Sequence, residues 1–196
     1  MLNAPITSEL LFFVVGRSGS GKDTVMRKTV DVLSKEHIPV NILQRHITRP
    51  PDKTEHSLYI SEAEFLQKKE NNEFTLFWFV YNNWYGCSRD LLEGPLKRGE
   101  IMLVNLSRAI LHRARMLYPQ SKIILIKVQD RVAEERIIAR GRENSKHLAP
   151  RVSRMQNEID LPLPDKIIHN NGDLDSTVHE LSSYVRKIYQ DTKESD

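Results

Sequence analysis

The run Gly16-Arg17-Ser18-Gly19-Ser20-Gly21-Lys22 constrains this chain more than any other stretch, because it follows the apolar segment 10–15 directly and leads directly into a helical pattern. Four residues separate Gly16 from the Gly21-Lys22 pair. That spacing lets small residues turn the chain so that successive backbone N–H groups point inward at a phosphate, while the lysine reaches the outer phosphates and the next helix offers its positive end. A glycine-rich turn joining a strand to a helix is the plainer reading. Strand, loop, lysine and helix in this order favour phosphate binding, so Gly16, Arg17, Ser18, Gly19, Ser20, Gly21, Lys22, Asp23 and Thr24 are the expected contacts to nucleotide phosphates. Ser or Thr usually follows the lysine as a Mg²⁺ ligand. Here Asp23 stands in that place and Thr24 comes one residue later.

A chain of 196 residues can bury one substantial core, so a single α/β domain with insertions is expected. The net charge of +3 suits an anionic small molecule, and without a dense basic run or interleaved aromatics it does not point to nucleic acid. Cys87 is the only cysteine, which excludes an internal disulfide and makes a reducing compartment the simplest setting. No segment has the length and apolarity of a membrane span and the N-terminus carries no signal-like core, so a cytoplasmic location is expected. The stretch 190–196 reads as a disordered tail.

Downstream, Val25, Thr29, Val32 and Leu33 recur at helical spacing, predicting a helix from Lys22 to about Glu36. Residues 38–43 read as a second strand. Arg45, His46 and Arg49 then put three potential cations within five positions, ahead of Pro50 and Pro51, which end regular structure. A charged surface loop is one reading; an acceptor-phosphate site is the other. Ser61-Glu62-Ala63-Glu64 predicts an N-cap and a short helix. The aromatic run 74–81, a turn at Asn82-Asn83 and Trp84-Tyr85-Gly86 predict a small β-rich insertion whose rings form a local core, with the Tyr85 hydroxyl available to a ligand. Pro95 is expected to interrupt the next helix, which Gly99 closes.

Residues 101–104 read as a buried parallel strand ending in Asn105-Leu106-Ser107-Arg108. Ligands of open α/β sheets bind beyond the carboxyl ends of strands, which places Asn105, Ser107 and Arg108 well, although such a strand normally ends in Asp. A further strand at 123–128 and a helix at 130–139 precede a region rich in arginine, with Arg136, Arg140, Arg142, Arg151 and Arg154 around Gly141. These are either solvated helix faces or a closing lid whose guanidinium groups bind phosphate oxygens. A short strand at 165–168, the turn 169–173 and a final amphipathic helix complete an α/β pattern that implies a parallel sheet flanked by helices.

Taken together, Gly16 to Thr24, Thr48-Arg49-Pro50, Ser61 to Phe65, Tyr85-Gly86, the arginine-rich region and Asn170-Asn171-Gly172-Asp173-Leu174 resemble the guanylate kinase-like branch of the nucleoside monophosphate kinases over nearly the whole chain. Gly19 to Asp23, His46 to Arg49, Trp78 with Tyr85-Gly86, Asn105 to Ala109 and Arg140 to Asn144 are similar, more narrowly, to its ribose 1,5-bisphosphate-phosphorylating members. The resemblance implies a P-loop kinase fold with its core in 10–45 and 87–190, an acceptor-binding insertion at 46–86 and a helical lid at 140–154. It implies ATP as donor, Mg²⁺ held through Thr24 and through Asp23 by way of a water, and a phosphosugar as acceptor; it leaves a homodimer open. Lys22, Arg140, Arg142 and Arg151 are the implied catalytic residues. Arg136 and Asn171 join the loop in holding ATP, and Arg45, His46, Thr48, Arg49, Tyr85, Asn105, Ser107 and Arg108 are the implied acceptor contacts. Three positions depart from the guanylate kinases. Asp52 replaces a second clamp arginine, Asn105 replaces an acidic strand end, and the Glu that reads the guanine edge is replaced in the neighbourhood Leu76-Phe77-Trp78, where Phe77 cannot accept a hydrogen bond. A site without a substrate's polar partner loses discrimination heavily. The implied reaction is therefore transfer of the ATP γ-phosphoryl group to ribose 1,5-bisphosphate, giving 5-phosphoribosyl 1-diphosphate, with phosphorylation of guanylate or another nucleotide as the alternative and a non-catalytic binding module as a second one.

Overall fold

All five side chains of Leu11–Val15 (β1) are buried, and the physical reason is its place at the centre of a parallel sheet that is covered on both faces. The computed structural model describes residues 8–50, 57–139 and 162–194. In chain order after β1 come Lys22–Lys35 (α1), Val40–Ile42 (β2), Arg45–Ile47 (β3), Ser57–Tyr59 (β4), Glu62–Glu70 (α2), Phe74–Val80 (β5), Asn83–Ser88 (β6) and Arg89–Lys97 (α3). Ile101–Asn105 (β7), Leu111–Leu117 (α4), Lys122–Lys127 (β8), Asp130–Ala139 (α5), Lys166–His169 (β9) and Leu174–Glu194 (α6) follow. Five strands form the main sheet in the order β2-β7-β1-β8-β9, every neighbouring pair parallel. The order is not the sequence order, and β1 sits between strands from later in the chain. The carboxyl ends of β1, β7 and β8 are thereby brought side by side, where the loop after β1 opens.

α1 buries Val25, Met26, Thr29 and Leu33, and α6 buries Thr177, Val178, Leu181, Ser182 and Val185 in the same core. α6 runs on to Glu194, so the stretch read as a disordered tail is helical as far as it is described. Nothing in 190–194 breaks a helix, and Thr192 Oγ1 donates back to the Ile188 carbonyl at 2.9 Å. Pro95 also lies inside α3 instead of interrupting it; only two residues follow before the helix ends, and Gly99 turns away in a left-handed conformation (φ +72°). Among the described residues, no helix is long and apolar enough to cross a membrane.

The segment between β2 and α3 builds a second, four-stranded sheet in the order β4-β3-β6-β5. β5 and β6 form a hairpin whose turn is Tyr81-Asn82, not Asn82-Asn83: both residues have positive φ, 51° and 55°, as a two-residue turn matching the twist of the strands requires. Ser61 caps α2 by accepting from Glu64 N–H at 3.1 Å, as the sequence predicts. The second sheet has two distinct faces. One carries Leu76, Trp78, Tyr85 and Cys87 into contact with the main core; the other packs Phe74, Phe77 and Trp84 around Phe65 of α2.

Candidate active site

The loop 16–21 leaves β1 and delivers Gly21 as the N-cap of α1 in a left-handed conformation, φ +81°. Only glycine adopts that conformation readily, and the space is also closed: a Cβ on Gly21 would lie 2.5 Å from Asn170 Nδ2. Asn170 is buried after β9; its Nδ2 donates to the Ser20 carbonyl at 2.8 Å, and Arg136 of α5 donates to the Asn170 carbonyl at 3.0 Å. One buried amide thus clamps the loop from below. Lys22 spans the loop from its last residue to its first, its Nζ donating to the Gly16 carbonyl at 2.8 Å and the Arg17 carbonyl at 3.1 Å. Arg17 pairs with Asp130 at the start of α5, and its Nε and one terminal nitrogen are buried without a partner. Ser18 is half-buried, and Ser20 is buried with its Oγ 3.4 Å from the lysine.

Two departures noted in the sequence meet in space. Asp23 is in the first turn of α1, Asn105 is the last residue of β7, and Asn105 Nδ2 donates to Asp23 Oδ1 at 2.7 Å. A carboxylate and an amide have exchanged the places where a hydroxyl and a carboxylate usually stand, so the pair keeps one negative charge. Asn105 therefore holds Asp23. Thr24, about 100° further round α1, lines a groove of about 580 Å³ with Arg27, Lys28, Asp31, Asn41 and Ile42. Among the described residues, no cluster of three or more His, Cys, Asp or Glu side chains gathers to hold a metal.

The cations grouped in the sequence are separated by the two-residue period of β3. Arg45 points to the face of Trp78 and Tyr85, its guanidinium carbon 6.0 and 5.6 Å from the ring centres. His46 points to the other face, against Phe74 at 5.3 Å, where burial and the neighbouring Lys68 ammonium hold its pKa below the ordinary value. His46 is thus not on the Tyr85 face. Thr48 pins β3 to β6, its Oγ1 accepting from Trp84 N–H at 2.9 Å. Arg49 follows at the end of β3, part-buried. Ser107 caps the turn 108–110 by accepting from Ala109 N–H at 3.3 Å, which places Arg108 at the start of that turn beyond β7. Phe77 also proves to lie on the α2 face, so it is not the residue that fills the place of a base-reading carboxylate beside Tyr85. The apolar side chains there are Leu76, fully buried, and Trp78, stacked on Tyr85 at 5.4 Å. Cys87 shares this face, and burial pushes its thiol up to about 12 against the opposing pull of Arg45.

Asn171 is exposed, and its Oδ1 accepts from Gln129 N–H at 2.7 Å, joining two loops. The neighbour passed over in the sequence, Asn170, is the one that touches the loop. An Asn-Asn-Gly turn does not say which amide points inward; only the register of β9 on β8 decides it. Asp130 was missed for a similar reason, because an acid in a helix's first turn is ordinary. Arg140, Arg142 and Arg151, and with them the whole lid 140–154, lie outside the described residues.

Residues 9–188 match the model of the family described as guanylate kinase. The chain belongs to the guanylate kinase family. It is 32% identical over 178 residues to the ribose 1,5-bisphosphate phosphokinase PhnN of Psychromonas ingrahamii, covering 90% of this chain and 89% of that one. It is 35% identical over 163 residues to the ribose 1,5-bisphosphate phosphokinase PhnN of Desulfomicrobium baculatum, covering 83% of this chain and 86% of that one. A solved guanylate kinase from Anaplasma phagocytophilum superposes with a TM-score of 0.65 at 20% identity, over 90% of this chain and 85% of that one, and shows the shared fold.

Proposed function

We propose that this guanylate kinase family member transfers the γ-phosphoryl group of ATP to the 1-phosphate of ribose 1,5-bisphosphate, forming 5-phosphoribosyl 1-diphosphate and ADP. The observation that carries the reading is the face beside Tyr85. Leu76 and Trp78 stand there, and neither side chain offers a hydrogen-bond acceptor to a guanine edge, while the glycine-rich loop and Lys22 are in the arrangement that phosphate binding asks for. The names of relatives 32% and 35% identical support the same acceptor.

The chemistry asks little beyond placement. An oxygen of the 1-phosphate attacks the γ-phosphorus as the bond from that phosphorus to the bridging oxygen of ADP breaks. The attacking oxygen is already anionic, so no strong general base is needed and the protein contributes positioning and charge compensation. The inward N–H groups of 16–21, the N-terminus of α1 and Lys22 hold the donor's phosphates. Arg136, already beside Gly21, belongs to the donor side. Arg140, Arg142 and Arg151 enter by resemblance as the arginines that offset charge during transfer. Mg²⁺, when bound, neutralises phosphate charge; Asp23, held by Asn105, and the Thr24 hydroxyl are the protein oxygens that fit it. Arg49, Tyr85 and Arg108 surround the acceptor in this reading, whereas Asn105 and Thr48 act by holding other residues.

The test is phosphorus NMR of the full chain with ATP, Mg²⁺ and, separately, ribose 1,5-bisphosphate, ribose 5-phosphate, GMP and AMP. Diphosphate signals and ADP are expected with ribose 1,5-bisphosphate alone. Turnover of GMP with none of ribose 1,5-bisphosphate would establish a nucleotide kinase, and absence of both turnover and ATP binding would establish a binding module.

A further inference from the structure

β2 ends the main sheet on its side, and among the described residues no element pairs with its outer edge. The ladder on the inner side fixes where each backbone group points. The Pro39 carbonyl accepts from Ile101 N–H at 2.8 Å and Leu43 N–H donates to the Leu103 carbonyl at 2.9 Å, so residues 39, 41 and 43 turn their backbone groups to β7. Alternate residues of a parallel ladder point the other way, which directs the N–H and C=O of Val40 and Ile42 outward. Both residues line the groove of about 580 Å³ between β2 and α1. A free edge is a template for another strand, and natural edges are guarded by short length and by charged side chains, lysine above all.

This edge is short, but the charge beside it is of both signs. Arg27 and Asp31 line the same groove, exposed and four residues apart on one face of α1. They do not pair with each other. Arg27 uses only its Nε, which donates to the Asp23 carbonyl at 3.4 Å, and Asp31 has no hydrogen bond or ion pair among the described residues. Lys28, by contrast, is committed to Asp175 of α6 at 2.9 Å. A cation and an anion side by side, both uncommitted, do not select a ligand of one charge. They fit a partner that presents the same two charges in reverse order.

A second copy of the chain does so. A twofold axis through Asn41 and normal to the sheet sets β2 antiparallel to its copy, and Val40 then exchanges N–H and C=O with Ile42 of the second copy. α1 joins two parallel strands and runs back along β2, so the same axis sets α1 antiparallel to its own copy. Arg27 then meets Asp31 of the second copy, and Asp31 meets its Arg27. Residues 27 and 31 belong to the part of α1 that shares the groove with 40–42, so strand and helix call for one axis. We infer that the β2 edge and the groove beside it form a self-association surface, joining two copies of this chain through a main sheet continuous across both. The surface stands apart from the proposed reaction, since Arg27, Asp31, Val40 and Ile42 are not assigned to ATP, Mg²⁺ or the acceptor.

Sedimentation equilibrium of the full chain over about two decades of concentration tests it, with wild type, Arg27→Asp, Asp31→Arg, the double variant carrying both, and Ile42→Pro. Wild type is expected to dimerise, and more weakly as salt rises. Each single reversal sets like charges together at both symmetric contacts and should weaken the dimer at least about tenfold. The double variant exchanges the two charges and should return to within about threefold of wild type, a recovery that a merely destabilised chain cannot produce. Ile42→Pro removes an N–H that points away from β7, so it should leave the fold and weaken association by at least about tenfold. A wild-type chain that stays monomeric overturns the inference. So does unchanged association in either single reversal or in Ile42→Pro, which would place a dimer on another face, and so does a double variant no tighter than the singles. If thermal unfolding shows that Ile42→Pro does not fold, the charge exchange alone decides: recovery upholds the surface and its absence removes it.

Discussion

Replacing Gly21 and Asn170, singly and together, tests the clamp beneath the phosphate loop. Gly21→Ala meets two penalties: an L-residue at φ +81° costs about 1–2 kcal/mol, and a Cβ placed 2.5 Å from Asn170 Nδ2 adds overpacking of about 1–3 kcal/mol. Asn170→Ala removes the 2.8 Å donor to the Ser20 carbonyl and leaves that buried acceptor unmet, at about 1–3 kcal/mol. Thr177 keeps its 3.1 Å bond to the Asp173 carbonyl, so it adds little. The double variant lacks the clash, because the amide that the new methyl would strike is gone. Its cost should fall short of the sum of the singles by about 1–3 kcal/mol, well outside the additivity found at independent sites. Urea unfolding gives the three stabilities, and ATP titration should show the single variants weakened with the double no weaker than the worse of them. Strict additivity in stability would refute the idea that Asn170 and Gly21 are fitted to each other.

Asn105→Asp brings two carboxylates together where one hydrogen bond stands; in EDTA it should destabilise the chain by ~1–4 kcal/mol, the range between water and a part-buried dielectric at about 4 Å. The exchanged pair Asp23→Asn with Asn105→Asp should recover most of that, and failure to recover in urea unfolding would show that the contact is incidental. Lys22→Ala should lower phosphoryl transfer by about 10²–10³-fold with unfolding nearly unchanged, as for loss of one preorganised charge contact; retained turnover in a coupled ADP assay would remove Lys22 from the site. His46 has a depressed pKa from burial, so the folded chain resists a proton that the unfolded chain takes up below pH 6.5. Its contribution is intact above that pH and is lost as pH falls, by up to ~1.4 kcal/mol per pH unit; His46→Gln should flatten the stability profile between pH 6.5 and 5, and an unaltered slope would contradict this.

What could be read from the chain follows the range of the interactions that decide it. The loop after β1 was legible because glycine spacing and the adjoining strand and helix are local, and so was the cap at Ser61. The Asp23–Asn105 bond was not, because 82 residues separate its partners and only the adjacency of β1 and β7 joins them. Asn170 against Asn171 turned on which of two neighbouring amides faces inward. The end of α6 went the other way: polar composition suggested a frayed tail, but composition alone does not break a helix that is already anchored by Val178, Leu181 and Val185.

The same limit explains why the cation cluster came apart. Arg45, His46 and Arg49 are neighbours in sequence, and if 45–49 were a loop all three could converge on one anion. Because 45–47 is a strand, parity assigns Arg45 to one face and His46 to the other, and the same parity in β5 sends Phe77 away from Tyr85 while keeping Leu76 and Trp78 beside it. In the proposed reading, acceptor recognition then falls to Arg45 and the residues on its own face and not to a general basic patch. A face built of the Leu76, Trp78 and Tyr85 side chains and a protonated thiol beside that guanidinium carries no carboxylate to meet the polar edge of a base, which is the physical ground of the acceptor proposed above.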